Sequence, residues 1–446
     1  MSGSRLTYTA AVAAVRSRGR FGVSLGLQRI EALLAELGNP QLQLHGALVA
    51  GTNGKGSVVA LARSALGEAG LRVGTMPKPH LVSYRERIAI DGELLPRERF
   101  AAAIGRVLPV ADDVAASLGP PTEFEVLTAA AFAELAGEHL DLVLVEVGLG
   151  GRLDATNALD AGVAAITNVQ HDHERHLGPT LALIGAEKAG IIKAGNLAVT
   201  GAAGRGVVPI RDRCAALEVP LRRAGPRQPY RAALLHSGWD GLVVDVVTPQ
   251  GGLADLRIGL LGGHQAANAA VALALLDALR EDAARRGVGW QVDEAAIRRG
   301  FAAARWPGRL ELLQDQAQGR ILLDGAYNPT GARALAKALL ELGVRRFPLV
   351  FGAMRGKRVT AVMRALAPLE PRPVFTRVPD AGAIEPNSLL RTWHRIADGG
   401  VTSATPRDAL AAAAAMRVLP DQPVVVAGSL YLVGAVRGIL SGEEGE

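Results

Sequence analysis

The fold class is decided by one stretch near the N-terminus, Ala47-Leu48-Val49-Ala50-Gly51-Thr52-Asn53-Gly54-Lys55-Gly56-Ser57. Its first four residues form an apolar run typical of a buried strand, and residues 56–69 have a helical pattern. Glycines between a strand and a helix let backbone N–H groups converge on phosphate oxygens, and Lys55 could reach the outer oxygens. The stretch therefore predicts a phosphate-binding loop at residues 51–57.

This loop departs from the general G-x-x-x-x-G-K-[ST] pattern, because Val49 stands at the first glycine position and Gly56 follows the lysine. Ser57 could still ligate a bound magnesium ion. A plain glycine turn is the alternative interpretation. The order of strand, loop and helix around an embedded lysine favours phosphate binding over a plain turn.

Outward from the loop, short apolar runs alternate with Ala/Leu-rich helical stretches, which predicts a mostly parallel sheet covered by helices. The first set of predicted strands and helices comprises residues 142–147, 163–169, 181–189, 197–200 and 265–280. The second set of predicted strands comprises residues 321–323, 348–351, 373–375 and 424–426. Between the sets lies the Pro-Gly pair of Arg305-Trp306-Pro307-Gly308-Arg309, which breaks any regular element. We therefore predict two α/β domains, a P-loop ATPase domain with a mostly parallel sheet at residues 1–304 and a smaller Rossmann-like domain at residues 305–446.

Composition limits the class of protein. With 446 residues, of which 49% are apolar and 21% charged, the chain has the balance of a soluble globular protein. Its apolar runs stop at strand length, well short of the roughly 20 residues that a membrane span needs. The N-terminus lacks the apolar core of a signal peptide. We expect a cytoplasmic monomer with no membrane partner.

The charged residues and the single cysteine exclude further classes. Cys214 is the only cysteine, which excludes an intrachain disulfide and a Cys-rich zinc site. The net charge is +6, and such a charge attracts nucleic acid or small polyanionic substrates. Because the Arg and Lys residues are dispersed and no basic run is interleaved with aromatics, we expect no nucleic-acid partner.

Three residues outside the loop could take part in phosphate chemistry. Glu146 ends a predicted strand, where open α/β sheets gather ligand groups, so its carboxylate could hold magnesium or simply form a salt bridge. His173 follows another predicted strand and could reach the same crevice. The trio of His171, His173 and His176 could instead bind zinc or form a polar loop. By spacing alone, Lys188 is an exposed helix lysine.

A series of further motifs follows the loop: Pro79-His80-Leu81, Glu86-Arg87-Ile88, Thr122-Glu123-Phe124-Glu125, Glu146-Val147-Gly148-Leu149-Gly150-Gly151-Arg152-Leu153-Asp154-Ala155-Thr156-Asn157, Asp172-His173, Glu187-Lys188-Ala189-Gly190-Ile191, Asn268, Trp306-Pro307-Gly308-Arg309, Asp324-Gly325-Ala326, Asn328-Pro329 and Gly428-Ser429-Leu430-Tyr431. In this order they resemble the folylpolyglutamate synthase and dihydrofolate synthase family, within the Mur ligase superfamily. The resemblance spans residues 21 to about 435. It implies an ATP-dependent ligase that joins L-glutamate to dihydropteroate or to reduced folates through an acyl phosphate.

The same resemblance implies roles for individual residues. The residues implied to bind ATP are Thr52, Asn53, Gly54, Lys55, Gly56, Ser57, Asn268, Arg309 and Asp324. Those implied to bind the acceptor and glutamate are His80, Thr122, Phe124, Asp154, Ala155 and Tyr327. Ser57, Glu146 and His173 are the implied ligands of Mg²⁺, for which two sites are expected, and K⁺ is a further candidate. Lys188 is implied to be carbamylated by CO₂, and the catalytic set to be Lys55, Lys188 and Arg309.

The match to the family breaks at three places. Lys78 precedes Pro79 where the family usually has a serine that contributes to a magnesium site. Tyr327 stands where the family usually has histidine, and its phenol cannot carry a proton charge near neutral pH. Residues 355–358, Arg-Gly-Lys-Arg, replace an acidic-basic-acidic turn. These changes leave open the composition of one metal site and the choice of acceptor.

Four functions compete at this point. A bifunctional enzyme acting on dihydropteroate and then on reduced folates is the leading hypothesis, because Thr122 to Glu125 and Asp154 match pterin-binding positions. A monofunctional folylpolyglutamate synthase is the nearest alternative. A Mur-type ligase for another acid is the third, given Tyr327. A P-loop kinase or ATP-binding regulator is the fourth, and the second domain argues against it.

Overall fold

The structure is a computed structural model that describes residues 6–21 and 25–443. Its strands in chain order are β1 (Gly46–Ala50), β2 (Val73–Met76), β3 (Ala89–Ile90), β4 (Glu93–Leu94), β5 (Leu142–Glu146), β6 (Gly162–Ile166), β7 (Leu197–Thr200), β8 (Leu221–Arg223), β9 (Arg231–Gly238), β10 (Gly241–Thr248), β11 (Gly251–Ile258), β12 (Glu311–Asp315), β13 (Gly319–Leu323), β14 (Pro348–Phe351), β15 (Arg372–Thr376), β16 (Val401–Ser403) and β17 (Val424–Ala427). Its α-helices are α1 (Tyr8–Ser17), α2 (Gln28–Glu36), α3 (Lys55–Glu68), α4 (Arg97–Leu118), α5 (Glu123–Ala136), α6 (Glu174–Leu177), α7 (Leu181–Ala189), α8 (Val208–Ala216), α9 (Gln265–Arg285), α10 (Glu294–Ala303), α11 (Pro329–Glu341), α12 (Val359–Leu366), α13 (Pro386–Trp393), α14 (Pro406–Ala415) and α15 (Leu430–Ser441).

The largest sheet has the strand order β4-β3-β2-β5-β1-β6-β7-β8. All neighbours from β2 to β8 pair in parallel, and only β3 and β4 at one edge are antiparallel. Strands β1 and β5 are buried along their whole length, as continuous apolar runs in a sheet covered on both faces should be. Helices α1, α2, α4 and α5 cover one face, and α3 and α9 cover the other.

This strand order places the candidate site. Because β5 and β6 flank β1, the segments that follow their carboxyl ends meet at one edge of the sheet. Those segments are the glycine loop after β1, Glu146 at the end of β5, and residues 167–173 after β6. The predicted strand-loop-helix order is confirmed, with β1 ending at Ala50 and α3 beginning at Lys55.

A three-stranded antiparallel sheet, ordered β11-β10-β9, packs against α9. The sequence analysis did not predict it. Its signal was present, since Asp240-Gly241 lies where β9 turns into β10 and Gly251 follows β10. The sheet adds a second layer beside the P-loop sheet and contributes no residue of the candidate site.

The third sheet has the order β12-β13-β17-β14-β15-β16, and only β12 runs antiparallel to its neighbour. Helices pack on both faces of this sheet, which makes a Rossmann-like α/β layer structure. The predicted fold class, a P-loop sheet followed by a smaller α/β sheet, is therefore confirmed. The predicted boundary between residues 304 and 305 falls between α10 and β12 and remains a prediction.

Among the residues that the structure describes, none of the helices combines the length and the apolar character required to pass through a bilayer.

Candidate active site

The glycine loop curls around the start of α3. Gly54 precedes α3 in a left-handed conformation (φ 81°), and a Cβ there would lie 2.4 Å from Oδ1 of Asn268. Only glycine meets both conditions at this position. Asn268, from α9, therefore lies directly beside the loop, as expected for a residue that contacts the same ligand.

The loop is fastened to the segment after β6. The Thr52 hydroxyl donates to the Gln170 carbonyl (3.1 Å) and accepts from the Gln170 N–H (3.0 Å). Asn53 Nδ2 donates to Gln170 Oε1 (2.7 Å). The main-chain carbonyl of Asn53 accepts from Thr167 Oγ1 and Asn168 Nδ2. The N–H groups of Thr52 and Asn53 also donate to Asn168, to its carbonyl (3.1 Å) and to its Oδ1 (3.0 Å). These bonds hold the loop in shape, which leaves the N–H groups at the start of α3 and the Lys55 side chain to meet phosphates.

Lys55 and Glu146 face each other at the mouth of the loop. Lys55 Nζ donates to the Gly51 carbonyl (3.1 Å) and lies 3.8 Å from Glu146 Oε1. Glu146 Oε2 accepts from the backbone N–H of Lys78 (3.2 Å). Burial raises the pKa of Glu146, while Lys55, Arg309 and Lys78 oppose the rise. A buried carboxylate with free lone pairs beside a phosphate loop suits a divalent cation.

His173 caps the short helix α6 in a left-handed conformation (φ 52°). Its Nε2 lies 3.3 Å from Lys357 Nζ, and the same ammonium lies 3.3 Å from Asp172 Oδ1. Loss of water around the ring lowers the pKa of His173 to about 4. The charges of Lys357, Lys55 and Lys188 also lower this pKa, whereas the charge of Asp172 raises it. The imidazole is therefore neutral near pH 7, which is the form that ligates metals.

Asn328 joins the two sheets across the site. Its Nδ2 donates to Asn53 Oδ1 (3.2 Å) and to Asp172 Oδ2 (3.1 Å), and its Oδ1 caps α11 by accepting from the Gly331 N–H. The sequence analysis quoted Asn328 only as part of a motif. Because it is buried and contacts both the phosphate loop and the segment after β6, it is a site residue that the analysis missed.

Arg309 and Asp324 come from the smaller sheet. Gly325 leaves room for the Arg309 guanidinium, since a Cβ there would clash with its Nη1. Both Asp324 oxygens accept main-chain N–H bonds, from Leu310 and Ala326, each at 2.9 Å. Burial raises the pKa of Asp324, and Arg309 opposes the rise. The positive charge of Arg309 also acts to lower the pKa of Glu146.

Lys188 is buried, with a side chain in α7, although spacing alone suggested an exposed helix lysine. Its Nζ forms no hydrogen bond or ion pair with any residue that the structure describes. Burial lowers the pKa of Lys188 to about 7, with Lys55 adding to the effect against Asp172 and Asp154. Much of this amine is unprotonated near neutral pH, which is the state that reacts with CO₂.

The residues expected to bind the pterin meet near Lys78. Lys78 Nζ lies 2.8 Å from the centroid of the Phe124 ring, and the charge of Asp154 acts on it. Asp154 accepts hydrogen bonds from Thr156 and from the Leu149 N–H.

Thr122 caps α5 in a reciprocal pair with Glu125, and Ala155 follows Asp154 in a buried turn. The capping bonds occupy the Thr122 hydroxyl, which donates to Glu125 Oε2 (2.9 Å). The side chains of Thr122 and Asp154 are thus committed to the protein, and the Phe124 ring remains as the surface that could stack on a flat ligand.

His80 and Arg87 form a pair on the other side of Lys78. Arg87 Nε donates to His80 Nδ1 (2.9 Å), while its Nη1 is buried without a partner among the described residues. Burial lowers the pKa of His80 to about 3, helped by Arg87 and Arg16. An unsatisfied buried guanidinium nitrogen is costly unless an anion completes it. Arg87 is therefore a candidate anion-binding residue that the sequence analysis did not single out, although its motif was visible.

Tyr327 lies under Lys357, whose Nζ is 4.5 Å from the ring centroid. Burial raises the pKa of the Tyr327 phenol well above its usual value, and Asp172 adds to the rise. The phenol stays neutral and can only exchange hydrogen bonds.

The predicted metal ligands combine two oxygen donors, which suit magnesium, with one imidazole, which suits zinc. Ser57 is buried beside Lys55 and Gly56 at the start of α3, and its hydroxyl makes no hydrogen bond with a described residue. Together with the Glu146 carboxylate and the neutral His173 ring it offers oxygen and imidazole donors. In the described part of the chain, no three His, Cys, Asp or Glu side chains lie in an arrangement that could hold a metal ion. His171, His173 and His176 therefore do not form such a group.

Comparison with known proteins places this geometry in a family. The Mur ligase middle domain matches residues 49–276, and the Mur ligase glutamate ligase domain matches residues 308–430. The dihydrofolate synthase/folylpolyglutamate synthase of Bacillus subtilis is 35% identical over 359 residues, which cover 79% of this chain and 81% of that protein.

Two solved structures show the same fold. Mycobacterium tuberculosis folylpolyglutamate synthase, complexed with ADP and AMPPCP, has a TM-score of 0.86 at 31% identity, over 98% of this chain and 100% of that chain. Escherichia coli FolC in complex with DHPP and ADP has a TM-score of 0.83 at 29% identity, over 97% and 98%. The chain is therefore an ATP-dependent ligase that belongs to the folylpolyglutamate synthase/dihydrofolate synthase family of Mur ligases.

Proposed function

We propose that this ligase joins L-glutamate both to dihydropteroate and to reduced folates, through an acyl phosphate. The observation that supports the proposal is the convergence at the phosphate loop of Lys55 and Glu146 with Asn328, which comes from the smaller sheet and donates to Asn53 Oδ1. The Bacillus subtilis relative carries both activities in its name, and the Escherichia coli relative binds DHPP with ADP. Residues 1–304 and 305–446 form the two domains in this proposal.

The reaction needs positioning more than a protein nucleophile. A carboxylate oxygen of the acceptor attacks the γ-phosphorus of ATP, the bond to ADP breaks, and an acyl phosphate forms. The unprotonated amine of glutamate then attacks the acyl carbon, and inorganic phosphate leaves with the carbon–oxygen bond pair. Lys55 and Arg309 would hold the transferring phosphoryl group, and closure of the cleft would exclude water from the acyl phosphate.

Ser57, Glu146 and His173 would hold Mg²⁺ in this proposal, and Asn268 and Asp324 would contact the nucleoside. When bound, Mg²⁺ supplies positive charge to the β- and γ-phosphates. The neutral His173 ring and the buried Glu146 carboxylate beside the phosphate loop support this assignment. K⁺ remains a further candidate cation.

Lys188 is proposed to carry a carbamate. Attack of the neutral amine on CO₂ forms a nitrogen–carbon bond, breaks one carbon–oxygen π bond and releases one N–H proton, so a neutral group becomes an anion. A buried, unpaired and largely neutral lysine beside Lys55 supports that assignment, because the new anion would meet a cation already in place. The carbamate would support a second magnesium site.

For the acceptor, Phe124 is proposed to stack on the pterin while Asp154 and Ala155 shape its edge. Thr122 acts by fixing the start of α5. His80, with Arg87, and Tyr327 are proposed to face the incoming glutamate, since the unpaired Arg87 nitrogen suits a carboxylate. We also propose that the enzyme works as a cytoplasmic monomer on small molecules, without nucleic acid or membrane.

Phosphate release tests the proposal directly. Purified protein would receive ATP, Mg²⁺ and L-glutamate with either dihydropteroate or tetrahydrofolate, and Lys55→Ala would serve as the inactive control. Stimulation by both acceptors is expected. Stimulation by tetrahydrofolate alone would establish a monofunctional synthase, and stimulation by neither would refute the folate assignment.

A further inference from the structure

Helix α11 connects the smaller sheet to the rest of the protein at both of its ends. At one end, its N-cap Asn328 donates to Asn53 and Asp172 beside the phosphate loop. At the other end, its last residue, Glu341, contacts the segment before α9 and the three-stranded sheet. Because α11 has 13 residues, the two contacts lie about 20 Å apart on one rigid element.

The contact of Glu341 consists of two hydrogen bonds to one carboxylate oxygen. Its Oε2 accepts from the Gly263 N–H (2.9 Å) and from the Ser237 hydroxyl (3.2 Å). Gly263 lies between β11 and α9, and Ser237 lies in β9. Lys337 is on the same helix as Glu341, and its Nζ lies 3.8 Å from the other oxygen, Oε1. Hydrogen bonds to a carboxylate are stronger than those to a neutral acceptor, so this contact holds the end of α11 firmly.

Further contacts between the two parts of the protein surround these hydrogen bonds. Trp239, in the turn between β9 and β10, packs against the core of the smaller sheet, and the Arg320 guanidinium carbon lies 4.4 Å from its ring centroid. Residues 305–309 link the two proposed domains and are followed directly by Leu310. The link runs beside the segment before α9, since a Cβ placed on Gly262 would lie 2.7 Å from Leu310 Cδ1. The noncovalent contacts and the covalent link therefore hold the smaller sheet at the same place.

The two ends of α11 differ in what they contact. Asn328 meets the phosphate loop, where a ligand has to enter and leave. None of the residues proposed to bind ATP, the acceptor or metal takes part in the contact of Glu341, so this contact can persist with and without ligands. A rotation of about 10° about the Glu341 end would move Asn328 by about 3.5 Å, which is enough to break its hydrogen bonds to Asn53 and Asp172.

We propose that Glu341 is a positioning residue that fixes the pivot about which the smaller domain closes over the phosphate loop. The inference rests on the proposed closure of the cleft and goes beyond it, since it assigns the pivot to one end of α11. Closure about this point brings Asn328 and the nearby Asp324 to the phosphate loop. A loose pivot lets the cleft close in the wrong orientation and admits water to the acyl phosphate.

Hydrogen–deuterium exchange tests the pivot without turnover. In wild-type protein, the Gly263 amide should exchange slowly, and AMPPCP with Mg²⁺ should leave its rate unchanged while the N–H groups of residues 51–57 become protected. Glu341→Ala should speed exchange of the Gly263 amide about tenfold, whereas Glu341→Gln, which keeps an acceptor, should restore most of the protection. If the nucleotide slows exchange at Gly263 as much as at the loop, this end of α11 opens too and the inference is wrong.

The ratio of ADP formed to amide bonds formed tests the positioning role. With tetrahydrofolate and L-glutamate, we expect this ratio to rise about threefold or more in Glu341→Ala and to return towards the wild-type value in Glu341→Gln. Glu281→Ala is the matched control, because it removes a helix glutamate of α9 whose partners are Arg222 and Arg285, and it should leave the ratio unchanged. An unchanged ratio in folded Glu341→Ala would overturn the inference.

Ser237→Ala keeps the test decisive if Glu341→Ala does not fold. It removes one of the two donors to Glu341 and should shift the exchange rate at Gly263 and the ADP-to-amide ratio in the same directions by smaller factors. No shift in either quantity would contradict the pivot. If no folate acceptor is glutamylated, the proposed function fails, while the exchange rates at Gly263 still decide where the pivot lies.

Discussion

Replacing Glu146 by glutamine should abolish the metal dependence of nucleotide binding. Glu146 is buried at the end of β5, with Oε1 3.8 Å from Lys55 Nζ and Oε2 bonded to the Lys78 N–H. Glutamine has the same shape and keeps an acceptor for the Lys78 N–H. The change therefore removes one negative charge and little else.

The size of the effect follows from the distance. Two unit charges 3.8 Å apart interact by about 4 kcal/mol at an effective dielectric constant near 20. Desolvation cancels much of that value for a buried pair, so we expect about 1–2 kcal/mol, or roughly tenfold in affinity. Without metal, Glu146→Gln frees Lys55 and removes repulsion, so an ATP analogue should bind about tenfold more tightly. With Mg²⁺, the carboxylate ligand is missing and the gain from metal should vanish.

Titration calorimetry of AMPPCP in EDTA and in Mg²⁺ measures both affinities. Glu68→Gln, on the outer part of α3 and paired with Arg299, is the matched control and should behave as wild type. A melting curve confirms that the variant is folded. If Glu146→Gln keeps the Mg²⁺-dependent gain, or binds the metal-free analogue more weakly than wild type, the assignment of Glu146 is wrong.

Three further changes test other parts of the site. Lys188→Arg should abolish any stimulation of activity by bicarbonate, because a guanidinium does not take up CO₂. Native mass spectrometry should show one bound CO₂ in the wild-type protein and none in the variant. Absence of the bound CO₂ from the wild-type protein would contradict the carbamate. Asn328→Ala should cost about 1–2 kcal/mol of unfolding free energy in urea, since it loses the α11 cap and the bonds to Asn53 and Asp172. Asn328→Ser should recover only the part due to the cap, and full recovery to wild-type stability would argue against a contribution of the bonds to Asn53 and Asp172. Burial holds the pKa of His80 near 3, below the ordinary value of 6.5, so the unfolded chain binds the proton first as pH drops. The free energy of unfolding should therefore fall as pH drops from 6.5 towards 3. Urea denaturation of His80→Gln should show a smaller fall of this free energy over the same pH range, and an equal fall would refute the reasoning.

Much of the fold could be predicted because parallel strands that are buried on both faces have continuous apolar sequences. Strands β7 and β14 and helix α7 have the predicted bounds, and β5 and β6 differ by a few residues at their ends. In the sheet of β9 to β11, the outer strands β9 and β11 are largely exposed and mix polar residues with apolar ones, whereas the signal of the apolar, mostly buried central strand β10 was overlooked. Such outer strands lack the strong periodicity on which the other predictions rested, and only their turns identify them.

The site was predictable where the chain order brings strand ends together, as for Glu146. It was not predictable where burial depends on distant elements. Lys188 has the local pattern of an exposed helix lysine, and only the packing of α7 encloses it. The orphaned Nη1 of Arg87 likewise depends on residues far along the chain, since the pKa of its guanidinium is lowered by burial and opposed by Glu123 and Tyr431.

Two departures from the family pattern share one physical feature, and that feature explains how the site tolerates them. At Tyr327 the usual histidine charge is absent, but Lys357 places an ammonium 4.5 Å from the ring centroid and contacts Asp172. At Lys78 the usual hydroxyl is absent, and an ammonium lies 2.8 Å from the centroid of Phe124. Each departure thus sets a lysine cation on an aromatic face, where the ring quadrupole attracts positive charge. Burial lowers the pKa of Lys78 to about 7, so this amine carries only part of a positive charge near neutral pH. We infer that at each departure a lysine on an aromatic face replaces the usual group, while phosphate chemistry at the glycine loop is retained.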